Sequence, residues 1–255
     1  MIELVAFLGN HGKEYAHNRH NAAWLLAERW SLLPLLSWQN KFKGRYAALD
    51  AVRLPRPTVP GNRASGSVGS ASNTVSSGAG TAASSTSSGS SGTASGGTGG
   101  GVGGTGSAGA DRSAGGSTGP SRLHFLMPLT YMNLSGDSVG EVAAFFKIPA
   151  ERILVIHDEL ELPLGTASLK FSGGLGGHNG LRSIKARLGT ADFWRFRIGI
   201  GRPNHDDISG WVLSDFSKDE TPLLGQVLDA GGTALGQILS YGPEFLLPEW
   251  NKKKF

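Results

Sequence analysis

Cysteine is absent from this 255-residue chain, which excludes disulfides, thiolate nucleophiles and thiolate metal centres. A metal would have to be held by histidine and carboxylate alone. Long apolar runs are missing too: nothing approaches the roughly 20 residues that span a bilayer, so no membrane partner is expected. Residues 1–8 hold Glu3 and no basic leader, unlike a secretory signal, so a cytoplasmic protein is expected. Charge is sparse, at 17% Asp, Glu, Lys and Arg, and the net charge is only +4. That mild excess permits a polyanionic partner without demanding one.

Glycine, in contrast, is abundant, and much of it falls in one place. Residues 64–120 are almost wholly Gly, Ser, Ala and Thr, with Asp111 and Arg112 the only charges. Such a tract buries too little apolar surface to offset the entropy of ordering it, and is expected to be a disordered insertion. What remains is about 200 residues, enough for one domain with a sizeable core. The expected organisation is thus one domain over residues 1–255, interrupted at 64–120. Closing a long flexible loop costs little more than closing a short one.

Outside the insertion, apolar runs predict strands at residues 2–8, 42–52, 123–127 (ending before Pro128), 153–156, 166–171 and 196–200. Helical periodicity marks residues 18–30, with His20 in the first turn, then 135–146, 181–188 and a last helix at 223–239. Strands alternating with helices predict an α/β sheet covered on both faces, hence a three-layer α/β/α arrangement. In such folds functional groups collect beyond the strand C-termini. Asn10, His20 and Asp158 all fall there.

Those residues offer a base, a carboxylate and carboxamides. His20 titrates near neutrality and can take a proton from water without a metal. Asp158 can accept from one ring nitrogen, fix the tautomer and support the imidazolium. Asn10, Asn133 and Asn179 sit in turn sequences, where asparagine imitates a backbone turn; converging near His20, they would hold a carbonyl and position water.

Other readings are weaker. The glycine run at 173–180 lacks both the dinucleotide fingerprint and the Gly-Lys-Ser/Thr ending of a phosphate loop. Gly136-Asp137-Ser138-Val139-Gly140 matches G-x-S-x-G literally, which leaves a serine esterase built on Ser138 as an alternative. Yet the elbow needs a strand running directly into the serine, and Ser138 falls inside a helical pattern. No His-x-x-x-His or H-E-x-x-H spacing suggests zinc, and no cofactor is expected. Lys170, Arg195 and Arg197 lie on predicted strands; the two arginines share a face and could clamp a phosphate.

Five ordered motifs together resemble bacterial-type peptidyl-tRNA hydrolases: Leu8-Gly9-Asn10-His11-Gly12 with Tyr15 and Arg19-His20-Asn21; Pro128 with Thr130-Tyr131-Met132-Asn133-Leu134-Ser135-Gly136; His157-Asp158-Glu159-Leu160; Gly176-Gly177-His178-Asn179-Gly180-Leu181; and Arg197-Ile198-Gly199-Ile200-Gly201-Arg202-Pro203. The resemblance implies a monomeric single domain with a mixed, largely parallel twisted sheet and no metal, which cleaves the ester joining a peptide to the 3′ end of tRNA. Carried over by position, His20 is the proton acceptor and Asp158 supports it. Asn10 distinguishes blocked from free aminoacyl groups. Tyr15, Tyr131, Asn133, His178 and Asn179 contact substrate, and Lys170 and Arg197 contact tRNA phosphate. Peptidyl-tRNA is the implied partner. Three departures stand out: His11 occupies the place of a proline, Ser168 that of a basic residue, and the insertion at 64–120 is unusual, with only loose likeness in the segment before it. A hydrolysis-deficient RNA-binding module on the same fold is a further alternative.

Overall fold

The computed structural model describes residues 1–54, 120–204 and 206–255. The Gly/Ser tract, Pro120 excepted, lies outside the described residues. In chain order the elements are β1 (Leu4–Phe7), α1 (Ala22–Arg29), β2 (Gln39–Lys41), β3 (Gly44–Asp50), β4 (Arg122–Pro128), α2 (Ser135–Phe146), β5 (Ile153–Glu159), β6 (Thr166–Phe171), α3 (Asn179–Leu188), β7 (Trp194–Gly199), α4 (Ile208–Val212), α5 (Thr221–Tyr241), α6 (Pro243–Trp250) and β8 (Lys253–Lys254).

Every residue of β1 and β5 is buried, so both faces of these strands must be covered. Alternation sorts them into two cores. Val5, Phe7, Leu154 and Ile156 pack with residues of α1, α5 and α6, whereas Leu4, Ala6, Ile153 and Val155 pack with residues of α2 and α3. A sheet lying between two helical layers follows, the three-layer arrangement expected from the alternation of elements.

The strand order is β2-β3-β4-β1-β5-β7-β6-β8. Its centre, β4-β1-β5-β7, is parallel, and the strands outside it pair antiparallel. The sheet is therefore mixed, with the parallel order confined to the four central strands. Their C-terminal ends share one rim, where residues 8–10, 129–131 and Asp158 emerge together.

Several boundaries differ from the sequence reading. The segment 42–52 belongs to a hairpin, β2–β3, turning at Phe42 and Lys43 with φ of 55° and 53°. β4 runs through Pro128, which pairs with Gly44; the β1 ladder ends at Leu126, so the missing N–H costs no bond there. His20 sits in a separate 3₁₀ turn, Arg19–Asn21, just before α1. α5 is not the last helix, because α6 follows, beginning at Pro243 and holding Pro248. Among the described residues no helix is long and apolar enough to cross a membrane.

Candidate active site

Strand β5 ends by carrying Asp158, 2% exposed, to the rim. Its Oδ1 meets two imidazoles: His20 Nδ1 at 2.9 Å and His178 Nε2 at 3.0 Å. The tautomer of each ring follows from its surroundings. His178 is the N-cap of α3, and its Nδ1 accepts from the backbone N–H of Gly180 and Leu181. Its proton is therefore on Nε2, which donates to Asp158. His20 likewise donates from Nδ1, which leaves its Nε2 as a lone-pair acceptor. The cleft in front of it is lined by His20, Asp158, Glu159, His178, Ile208 and Val212 among others.

Electrostatics reinforce this geometry. Burial pulls the His20 pKa down, but the charge of Asp158 and then its hydrogen bond outweigh burial, and the net pKa is raised above the ordinary histidine value. Burial would push Asp158 up; the attraction of His20 and His178, with their two hydrogen bonds, holds it well below the usual carboxylate range. His157, the neighbouring ring, is buried and lowered well below the ordinary value; its Nδ1 lies 2.6 Å from the Asp158 carbonyl. The pair His20–Asp158 can accept a proton at His20 Nε2 and stabilise the charge that results.

His20, Asp158 and His178 also offer one ligand atom each within 4.8 Å of one another, a cluster that local spacing could not reveal. Both ring nitrogens in it carry protons aimed at the carboxylate, so these atoms satisfy each other as they stand.

Asn10 is tied into this rim from two sides. Its Oδ1 accepts from Met132 N at 3.0 Å, and its backbone N–H and carbonyl engage the Asn21 carboxamide at 2.7 and 3.0 Å. Asn21, the residue after His20, was no more than a motif member in the sequence reading; it locks the loop bearing Asn10 to the turn bearing His20. The Asn10 amide nitrogen takes no part in these three bonds. Tyr131 is 59% exposed and lies against His11, ring centroids 5.6 Å apart. Asn133 is exposed in the 3₁₀ turn Met132–Leu134 that precedes α2, Asn179 is exposed at the start of α3, and Tyr15 is half-buried in a 3₁₀ turn.

Arg19, a member of the same motif as His20, makes contacts that the motif does not announce. Its guanidinium forks onto Glu220 at 2.9 and 3.1 Å and lies over Trp211 at 3.8 Å and Phe216 at 4.8 Å. It thereby anchors the segment around α4, which supplies Ile208 and Val212 to the cleft, beside His20. Its signal was its position beside the base, but its partners lie some 200 residues away in the chain.

The basic residues separate into pairs that sequence did not give. Register puts Lys170 opposite Arg195, and Ser168 opposite Arg197. Arg197 is held by Glu159 at 3.5 Å and by Ser168 Oγ at 2.8 Å. Arg195 is buried and donates to the Gly174 carbonyl. Ser138 is buried in α2, where its hydroxyl donates to the Phe42 carbonyl at 2.6 Å; no imidazole or carboxylate hydrogen-bonds it among the described residues.

A family model described as peptidyl-tRNA hydrolase matches residues 106–255. The chain is 37% identical to the peptidyl-tRNA hydrolase of Treponema pallidum (strain Nichols), over 99% of this chain and 96% of that protein. It is 36% identical to the one from Oleidesulfovibrio alaskensis, over 89% and 85%. Its fold is similar to the crystal structure of peptidyl-tRNA hydrolase from Acinetobacter baumannii, with a TM-score of 0.65 and 27% identity, covering 98% of this chain and 94% of that one.

Proposed function

Because the chain belongs to the peptidyl-tRNA hydrolase family, we propose that it hydrolyses the ester between an N-blocked peptide and the 3′ end of tRNA, and that His20 is the general base. His20 Nε2 takes a proton from a water in the cleft as the water oxygen attacks the ester carbonyl carbon. The tetrahedral oxyanion collapses, the bond to the tRNA oxygen breaks, and the imidazolium returns its proton to that oxygen. Products are a free peptide acid and a reusable tRNA. No metal takes part in this scheme.

Asp158 supports the imidazolium, and His178 is a positioning residue that fixes the carboxylate from the far side. The Asn10 amide nitrogen, with Asn133 and Asn179, holds the blocked aminoacyl group, while Tyr15 and Tyr131 border it. A free α-amine carries a positive charge in place of an amide and would lose the Asn10 contact, so free aminoacyl-tRNA is spared. Lys170 and Arg197 face the tRNA phosphates. On this reading the protein works as a cytoplasmic monomer, its residues 1–255 forming one domain around the insertion.

The single observation that carries the proposal is the shared Asp158 Oδ1, reached by His20 at 2.9 Å and His178 at 3.0 Å, which leaves His20 Nε2 open to the cleft. The test is release of N-acetyl-aminoacyl groups from tRNA. His20→Ala is expected to lower kcat by about 10²–10⁴-fold, the usual cost of a lost general base, and chelator is expected to leave turnover unchanged. Undiminished turnover in His20→Ala removes His20 from its role. Tight RNA binding without ester cleavage favours the binding-module reading instead.

A further inference from the structure

We propose that the C-terminal strand β8 adds a phosphate contact to the substrate path, with Lys254 as the contact residue and a phosphodiester of the tRNA 3′ strand as its ligand. The proposal rests on the hydrolase reading above and extends it to a part of the molecule that no sequence motif covers.

The register of the outer strands locates Lys254 relative to Asp158. Asp158 lies opposite Ile198, Ile198 opposite Ala167, and Ala167 opposite Lys253. That line crosses the sheet perpendicular to its strands in three spacings, about 14 Å at the usual interstrand distance. β6 is antiparallel to β7, and β8 is antiparallel to β6, so β8 runs in the same direction as β5. Lys254 therefore lies one residue further toward the rim from which Asp158 emerges.

Alternation then fixes the face. Lys253 turns to the α5–α6 side: its ammonium bonds Glu249 and lies over the Trp250 ring at 4.7 Å. Lys254 pairs with Thr166, which shares a face with Ser168 and Lys170, so Lys254 projects to the opposite side from Lys253. That face carries Glu159, Arg195, Arg197, Ser168 and Lys170. Of its cations, Arg197 is paired with Glu159 and Arg195 is buried. The ion pairs among the described residues leave Lys170 and Lys254 without a carboxylate partner, and Lys254 is exposed.

Ser168 explains why the strand is held there. Its hydroxyl accepts from Arg197 and donates to the Asn251 carbonyl, the residue that leads into β8. Phe255 N–H closes on the Gly165 carbonyl at 2.8 Å. A chain of contacts thus runs from the cleft wall at Glu159 through Arg197 and Ser168 to the docked C-terminal segment. Where Ser168 itself brings no charge, the strand it fastens supplies one at the outer edge of the same face.

The test compares Lys254→Ala, Lys254→Arg and Lys253→Ala on two substrates: N-acetyl-aminoacyl-tRNA, and the N-acetyl-aminoacyl ester of adenosine, which has no phosphate. Lys254→Ala is expected to raise KM for the tRNA substrate about two- to fivefold at low salt, the scale of an exposed charge pair. It should also lessen the slope of log KM against log salt by about one. kcat, and KM for the adenosine ester, should not move. Lys254→Arg should restore the slope, and Lys253→Ala, on the other face, should leave it intact. An unchanged slope in Lys254→Ala overturns the proposal, as does an equal effect from Lys253→Ala or an equal KM loss on the adenosine ester. Should the wild-type chain cleave neither substrate, the hydrolase reading fails. The lysine contact would then be decided by the same salt comparison on binding of deacylated tRNA.

Discussion

A single carboxylate oxygen that accepts from two imidazoles makes Asp158 the residue on which the electrostatics turn. With His20 as the proposed base, turnover requires its ring neutral, so activity is expected to fall as pH drops through the His20 pKa, which the Asp158 charge and hydrogen bond raise above the ordinary histidine value against the pull of burial. Replacing Asp158 by Asn removes that charge and leaves burial unopposed. The acidic limb of kcat/KM in Asp158→Asn should then shift to lower pH, while kcat drops by about 10²–10⁴-fold because neither the imidazolium nor its tautomer is supported. A pH–rate profile of the variant checks both; an acidic limb that stays in place would separate the carboxylate from the base. Sequence alone exposed this pair because each residue stands at the end of an apolar run that reads as a strand or beside one. It did not expose the part His178 plays. Its ring caps α3 with one nitrogen and fixes Asp158 with the other, and a dual role of that kind depends on where a helix begins in space.

At the scale of elements, the position of His178 is inherited from how α3 sits on α2. The two helices meet at Gly136, whose backbone N–H donates to Ser183 Oγ at 2.9 Å. A Cβ placed there would come within 2.1 Å of the Ser183 carbonyl oxygen, a backbone atom that cannot swing aside. Gly136→Ala must push α3 outward and carry His178 away from Asp158. The expected outcome is a loss of about 1–3 kcal/mol of stability, the range of an overpacked contact, together with a lower kcat. Thermal unfolding and turnover of the same preparation would check it, and a variant with wild-type values for both would show that α3 is not braced there. The helices themselves were legible, since α2 follows the 3.6-residue apolar period through Val139, Val142 and Ala143. The β2–β3 hairpin was not. Its turn places Phe42 and Lys43 in left-handed conformations that Asn-Gly sequences ordinarily announce, and the tertiary setting of Phe42 among Tyr46, Phe145 and Phe146 takes over instead. α6 was hidden for a related reason: Pro243 and Pro248 read as breakers, whereas the first opens the helix, where proline lacks nothing it would need.

For the whole molecule, the question is how a long low-complexity tract can interrupt a hydrolase without dismantling it. The answer lies in where the chain leaves and re-enters the fold. Asp50 pairs with Arg122, and Ala51 N–H donates to the Ser121 carbonyl at 3.0 Å, so the two points of attachment are already neighbours before the tract is considered. They stand at the start of β4, and β4 is parallel to β1. The attachment is therefore on the rim opposite the one where Pro128 leads into Tyr131 and Asn133, a strand length of about 20 Å away. Closure of a loop whose ends are held in register costs only logarithmically more as the loop lengthens, and the described residues that line the Asp158 cleft all belong to other segments of the chain. Deleting residues 64–120, with 55–63 kept as the bridge, should accordingly leave kcat and KM for N-acetyl-aminoacyl-tRNA within about twofold of the full chain. It should raise the unfolding midpoint by only a few degrees, since shortening a flexible loop by this much contributes about 1–2 kcal/mol. Steady-state kinetics and thermal unfolding of the two proteins side by side would decide the matter. A large loss of activity with the fold intact would mean that the tract takes part in binding tRNA, even though its points of attachment lie on the rim opposite Asp158.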